Sequence, residues 1–481
     1  MSGYPTGLRS LTDEVTVPSL PVRGRLPRWL EGVLLRNGPA LFEAGGHRYR
    51  HWFDGQAMLH RFAIEDGRVS YANRFLDVPS SRTARHEGRI AYQEFATDPC
   101  RSLFARVFTP FLRRPSGNAN VSVARFGERF VALTETPLPV EFDPRTLETV
   151  GVVGYEDALA GQWTTAHPHQ DPVTGELVNF VAHFARRSEY RVYRQSSDGT
   201  AHRRLLGSLP VSRPGYMHSF AITDRHVVLV EFPLVVNPPA LLLSGRPFIE
   251  NYRWRPERGT RFIVMDRRDG TVRRVAKGPA FFAFHHVNAF EDGDALVLDL
   301  CAYEDPSVID ALYLDRLREG GGVPQARPTR YRIGADGAVS AERLGEEPME
   351  LPRIDYGRCN GRPYRFAYGV GSRDGRGGNF ADQLVRLDTA DGGTLTWWEE
   401  DCHPGEPVFV ADPQAPAESE GEGVVLSVVL DAAAGSSFLL VLDAASFREL
   451  ARAEVPHAVP FGFHGVFSGT EAAGGAPAGT A

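Results

Sequence analysis

Four histidines are the side chains of this chain best suited to hold a metal together. They are His167 in Thr165-Ala166-His167-Pro168, His218 in Tyr216-Met217-His218-Ser219-Phe220, His285 in Phe284-His285-His286-Val287-Asn288-Ala289 and His464 in Gly462-Phe463-His464-Gly465. Neutral imidazole is the commonest protein metal ligand and suits iron, copper, zinc and nickel. Positions as distant as 167 and 464 cannot meet through one local motif. They meet only in a fold that sends one residue from each of several separate segments to a shared centre, most simply a circular one. A lone histidine is more often a satisfied structural residue than a ligand, and the chain has 15 of them. Residue type alone therefore decides nothing; the frames carry the weight.

The elements that must position these residues read as short strands. Apolar or alternating runs such as 130–134, 177–182, 227–231, 262–266, 295–300, 423–430 and 438–443 are separated by Gly, Pro, Asp and Asn. Asp66-Gly67, Asp198-Gly199, Asp269-Gly270 and Asp336-Gly337 mark hairpin turns between such runs. There are roughly two dozen runs, which at four strands a blade make about six or seven propeller blades. No crisp tandem repeat accompanies them, so the pattern leaves a propeller, a large sandwich and two β domains all open. No inter-domain linker is visible. Residues 1–467 read as a single domain, and the Gly/Ala-rich residues 468–481 as a disordered tail.

The histidine frames resemble those of the carotenoid cleavage oxygenase family, and most of all its animal-type branch of β-carotene oxygenases and the retinoid isomerase. The likeness runs from Leu34-Leu35-Arg36-Asn37-Gly38-Pro39 and His51-Trp52-Phe53-Asp54-Gly55-Gln56, through Phe290-Glu291-Asp292 and Leu298-Asp299-Leu300-Cys301, to Gly465. It implies an all-β, seven-bladed β-propeller with iron on its axis under a cap of loops and short helices. It also implies one Fe2+ per chain held by His167, His218, His285 and His464, with O2 as co-substrate. Four neutral ligands on an octahedral ion leave two positions open, unlike the more familiar two-histidine, one-carboxylate site.

The carboxylates then belong one layer out, accepting the remaining ring N–H of the ligands they reach. Glu135, Glu350 and Glu406 resemble the family's residues for that role, and Thr134 resembles a threonine near an open coordination position. His51, His60, His169, His183 and His286 fall outside the ligand frames and are assigned no metal role. Ser219, directly after the second ligand, matches the animal-type branch, where many other relatives carry Asp.

Composition narrows the partners. Net charge is −7 with a pI near 6.1, so no global basic field draws the chain to nucleic acid. Lys277 is the only lysine, and the Arg, Ala and Gly bias points to a GC-rich bacterial genome. The start, Met1-Ser2-Gly3-Tyr4-Pro5, does not read as a signal peptide. Cys100, Cys301, Cys359 and Cys402 lack CxxC spacing and read as free thiols in a cytoplasmic protein. Hydrophobic residues make up 42%, enough for a substantial core, yet no run approaches a spanning helix.

A lipid-dissolved polyene must then be reached from the membrane surface. Leu103, Phe104, Val107, Phe108 and Phe111 follow helical spacing with Arg106, Arg113 and Arg114 among and after them, so residues 103–112 read as an interfacial anchor ending at Leu112. Residues 233–249, from Pro233 to the end at Ile249 with Leu241-Leu242-Leu243 between, are a second apolar patch.

The expected function is Fe(II)-dependent dioxygenase cleavage of a conjugated C=C bond in a carotenoid or apocarotenoid, giving two aldehydes, retinal among the possible products. A retinoid isomerohydrolase-like enzyme, a stilbene-cleaving oxygenase and a non-catalytic carotenoid-binding propeller are the alternatives. The stilbene cleavers use an early-chain lysine, which this chain lacks before Lys277.

Overall fold

The computed structural model describes residues 3–98, 116–373, 380–416 and 419–469. Seven antiparallel sheets of four or more strands follow one another along the chain as propeller blades, with two small two-stranded ribbons beside them. Blades 2 to 6 are each built from strands in chain order, blade 4 with one small ribbon inserted: Ser122–Phe126 to Thr149–Val152, Trp163–Thr164 to Arg203–Val211, Ala221–Ile222 to Val272–Gly278, Phe282–Asp292 to Val339–Arg343, and Glu350–Arg353 to Thr394–Trp397. The Asp-Gly turns expected from sequence do join strands within blades, and Asp66 and Gly67 both take positive φ there (49° and 71°).

Blades 1 and 7 close the ring by exchanging chain ends. The C-terminal strand Gly465–Ser468 lies at the inner edge of blade 1 against Gly32–Leu41, with Arg36 opposite Gly465. The N-terminal strand Val22–Gly24 is the outer edge of blade 7 against Glu449–Val455. Ser468, read from sequence as the start of the tail, is therefore a strand residue paired with Val33; residues 470–481 lie outside the described residues.

Side-chain alternation explains how blades pack. Along Gly32–Leu41 every residue is buried. Val33 and Leu35 pack with blade-2 residues Val123, Phe130 and Val140, while Leu34 packs with blade-7 residues Leu426, Leu439 and Val441. A middle strand flanked on both faces must be apolar throughout, and only outer strands such as Thr149–Val152 alternate with solvent.

A cap covers one end. It includes α1 (Pro79–Glu87), begun by a proline and ended by Gly88 at φ 61°, and α2 (Pro238–Leu243). The short helices α3 (Ser307–Ala311) and α4 (Leu314–Arg318) belong to it too and dock on the first blade: Trp52 N donates to Leu312 O and Leu314 N to Arg50 O.

Candidate metal centre

Each candidate ligand sits on or beside the inner edge strand of a different blade. His167 interrupts the inner strand of blade 3, between Trp163–Thr164 and His169–Gln170, both of which pair with Leu177–His183. His218 precedes the inner strand of blade 4, and His464 precedes the closing strand of blade 1. His285 lies within the inner strand of blade 5, where the ladder slips by one residue between Ala283 and His286. Such a bulge re-aims a side chain that the regular pleat would turn elsewhere. His286 is thereby directed away, with its Nδ1 2.7 Å from Ser219 Oγ.

The four imidazoles converge. One ring nitrogen from each lies within 4.8 Å of the others, His167 Nε2 is 3.1 Å from His218 Nε2, and His285 Nε2 is 3.2 Å from His464 Nε2. Behind three of them stands a carboxylate. Glu135 Oε1 accepts from His218 Nδ1 at 2.8 Å, Glu350 Oε2 from His285 Nδ1 at 2.5 Å, and Glu406 Oε1 from His464 Nδ1 at 2.7 Å. Each pairing commits Nδ1 as the donor and leaves the Nε2 lone pair aimed inward. Among the described residues no carboxylate reaches His167. Thr165 tethers it instead, its hydroxyl accepting from His167 N and donating to His218 O in the next blade.

Electrostatics agree with this arrangement. Burial, together with the neighbouring imidazoles, pushes His167 well below the ordinary histidine value. Burial likewise lowers His464 to about 4, against the opposing pull of Glu406, and lowers His218 against Glu135. Neutral imidazole at pH 7 is the form that binds metal. Burial raises the Glu406 carboxyl, but Arg353, His464 and Arg36 outweigh it and bring it down to about 2. Leu351, next to Glu350, is held at φ 50°, and its N–H donates to Glu350 Oε2 at 2.7 Å. A branched residue in the left-handed region is strained, and here the strain sits against the site.

Sequence reading did not assign the residues that hold these glutamates. Tyr216 hydroxyl donates to Glu135 Oε1 at 2.7 Å, and Trp163 Nε1 donates to Oε2 at 3.4 Å. Arg36 pairs with Glu406 and also donates to Phe463 O at 3.0 Å. The available signal was Arg36 itself, a charge inside an otherwise apolar strand. Three of the expected decoys are engaged elsewhere. His51 bonds Ile309 O at 2.9 Å, His60 bonds Tyr71 hydroxyl at 2.9 Å, and His169 bonds Phe220 O at 2.9 Å. Asp54 fixes the 96–97 loop, accepting from Ala96 N at 2.9 Å and Thr97 Oγ1 at 2.6 Å.

A cavity of about 1020 Å³ opens onto the cluster. Its walls are mostly aromatic and aliphatic, including Phe53, Phe95, Phe284 and Phe463, with Leu241 of α2 and Val308 of α3 from the cap. His218, His285, His464 and Thr134 face it. Phe53 stacks on His218 at 6.5 Å and 21°, and Phe284 meets His218 edge-on at 5.5 Å.

One of the two surface expectations changes in part. Residues 103–112 lie outside the described residues. In the 233–249 patch, Pro233, Leu234, Val235 and Val236 are buried, and Leu234 and Val235 pair with Trp254 and Arg253. Those four side chains belong to the core, so that part of the segment is no lipid-facing patch. No helix among the described residues is long and apolar enough to cross a membrane.

Comparison with known proteins places this geometry in context. A family model described as retinal pigment epithelial membrane protein matches residues 8–469. The chain is 34% identical to a mitochondrial carotenoid-cleaving dioxygenase of Mustela putorius furo, covering 96% of this chain and 95% of that protein. It is 35% identical to a carotenoid isomerooxygenase of Galleria mellonella, with the same coverage. Among solved structures, the cobalt-substituted apocarotenoid oxygenase of Synechocystis superposes with a TM-score of 0.87 at 26% identity, over 97% of this chain and 98% of that one.

Proposed function

The chain belongs to the carotenoid cleavage oxygenase family and is a carotenoid cleavage dioxygenase, and from that premise we propose that it cleaves one conjugated C=C bond of a carotenoid or apocarotenoid with O2 on a single Fe2+. His167, His218, His285 and His464 hold the iron, with Glu135, Glu350 and Glu406 orienting three of them. The observation that carries this reading is the convergence of four imidazole nitrogens at the wall of a large apolar cavity. The donor set fits ferrous iron: four nitrogen ligands would leave two positions of an octahedral ion, and three of the four rings face the cavity.

When bound, iron would supply O2 activation. The protein's own residues do the rest. The aromatic walls bind the polyene by apolar contact and exclude water, which protects reactive intermediates from hydrolysis. Phe53 and Phe284 brace His218 from two directions, and Thr134 stands on the cavity wall beside Glu135. The carboxylates keep each paired imidazole in the tautomer whose Nε2 is free.

The decisive test is incubation of iron-loaded protein with β-carotene, an 8′-apocarotenal and a retinyl ester, with and without air. Oxygen-dependent appearance of two carbonyl products supports the dioxygenase. Oxygen-independent conversion of the ester to retinol would establish the isomerohydrolase instead. For substrate access we retain the amphipathic residues 103–112 as the membrane-binding segment. Replacing Phe104, Phe108 and Phe111 with Ser should reduce liposome binding and turnover of membrane-dissolved carotenoid while sparing a detergent-solubilised apocarotenal. Equal loss on both substrates would count against it.

A further inference from the structure

The cavity wall carries a carboxyl that the histidine cluster does not use. Glu94 lines the cavity. Its segment is fixed from behind by Asp54, and its own N–H donates to Thr97 O at 3.0 Å. Ser116 hydroxyl reaches Glu94 Oε2 at 3.4 Å, and Oε1 is buried with no hydrogen-bond partner. The neighbouring amides of Asn118 and Gln56 also act on this carboxyl, though each makes its closer bonds to other groups. Asn118 binds Gly55 O and Ala57 N, and Gln56 binds Tyr49 and Ser80 hydroxyls. No cationic side chain is among the groups that act on it. The next residue, Phe95, packs on Phe53 at 5.2 Å, and Phe53 stacks on His218, which ties the segment carrying Glu94 to the metal centre.

We propose that Glu94 is the hydrogen-bonding subsite for a neutral oxygen function, a hydroxyl or a carbonyl, carried by an otherwise apolar polyene. The proposal rests on the dioxygenase reading above and narrows its substrate class. Burial, and then the nearby Asp54 carboxylate, push the Glu94 carboxyl well above the ordinary range, so at neutral pH it is an uncharged acid with one O–H to give and a carbonyl oxygen to receive. A hydrocarbon offers that acid nothing, which leaves a polar group unpaired in an apolar wall. A polyene ending in a carboxylate would bring a buried charge against a carboxyl on which no cation acts.

The test uses iron-loaded full-length protein and four compounds of one 8′-apocarotenoid skeleton: hydrocarbon, alcohol, aldehyde and acid. Wild type should favour the alcohol and aldehyde over the other two. Glu94→Leu should lose about tenfold or more in kcat/KM on those two, mainly through KM, with the hydrocarbon unchanged or improved. Glu94→Gln keeps a donor and an acceptor and should retain most of the preference. If Glu94→Leu does not fold, Glu94→Asp decides, because it withdraws the same acid by one methylene: a lost preference supports the subsite and a retained one overturns it. Uniform loss on all four compounds would also overturn it, assigning Glu94 to holding Ser116. A wild type that cleaves all four without discrimination sinks the subsite alone, whereas one that cleaves none sinks the dioxygenase reading itself.

Discussion

Glu406 shows how much one side chain carries at this centre. Its Oε1 orients His464, while its Oε2 accepts from Gly465 N at 2.9 Å and from Arg36, so the carboxylate ties a proposed ligand to the two strands that close the ring. Glu406→Gln cannot satisfy His464 and Arg36 together. Iron affinity in chelator competition should fall by on the order of 10- to 100-fold, the usual effect of losing a partner behind a metal ligand, and unchanged affinity would remove Glu406 from that role. Tyr216→Phe should act on the same property more mildly. Glu135 loses one donor but keeps Trp163, so a loss of about tenfold or less is expected, corresponding to about 0.5–1.5 kcal/mol for one hydrogen bond. A drop as deep as that of Glu406→Gln would mean Tyr216 does more than hold Glu135.

The inner-edge strands are the elements that decide whether the histidines meet. Apart from Phe282–Asp292 in blade 5, several are short or broken, as at 163–164 with 169–170 and at 402–404 with 408–411. For this reason the sequence shows the long middle strands clearly and the inner ones hardly at all. The segment carrying His464 runs against Asn37, with Phe463 N donating to Asn37 O and Asn37 N donating to His464 O, both at 3.0 Å. That approach needs Gly38, where an added Cβ would stand 2.4 Å from Gly462 Cα. Backbone cannot give way as a flexible side chain can. Gly38→Ala should cost about 1–3 kcal/mol of stability and lower iron content by displacing His464, although residue 38 touches no metal ligand position directly. Gly154→Ala, where nothing lies within 4 Å, is the control and should leave thermal stability and iron loading as they are. Equal behaviour of the two variants would show that the close approach does not position His464.

Acid sensitivity belongs to the molecule as a whole, because imidazoles are buried well beyond the metal centre. Burial lowers His51 to about 4 and His60 to about 3. The unfolded chain protonates these groups near pH 6.5, so it binds more protons than the folded state between that value and the folded ones. Stability is therefore unaffected above about pH 6.5 and falls progressively as pH drops through the window. At pH 5 each group should cost about 2 kcal/mol. Urea midpoints of the metal-free protein should fall clearly between pH 7 and pH 5, and His60→Asn should flatten the fall. A midpoint constant over that range would mean these rings are not held neutral by burial.

The sequence by itself determined the chemistry on offer. The four histidine frames, the family they resemble and the three carboxylates were all legible, because each is a residue type in a short local setting. The strand-rich, turn-punctuated pattern was legible too, but it left propeller, sandwich and two-domain arrangements equal, since alternation records which strands are flanked and not which sheets are neighbours. Only the tertiary structure decided that the ring closes through an exchange of chain ends, that the ladder slips beside His285, and that Pro233 to Val236 belong to the core. Those outcomes depend on register, backbone approach and long-range pairing between positions such as Arg36 and Glu406, none of which is encoded within any one segment. The same holds for Glu94: only its buried place on a largely apolar wall, near the Asp54 carboxylate, marks it as an acid whose carboxyl is pushed up.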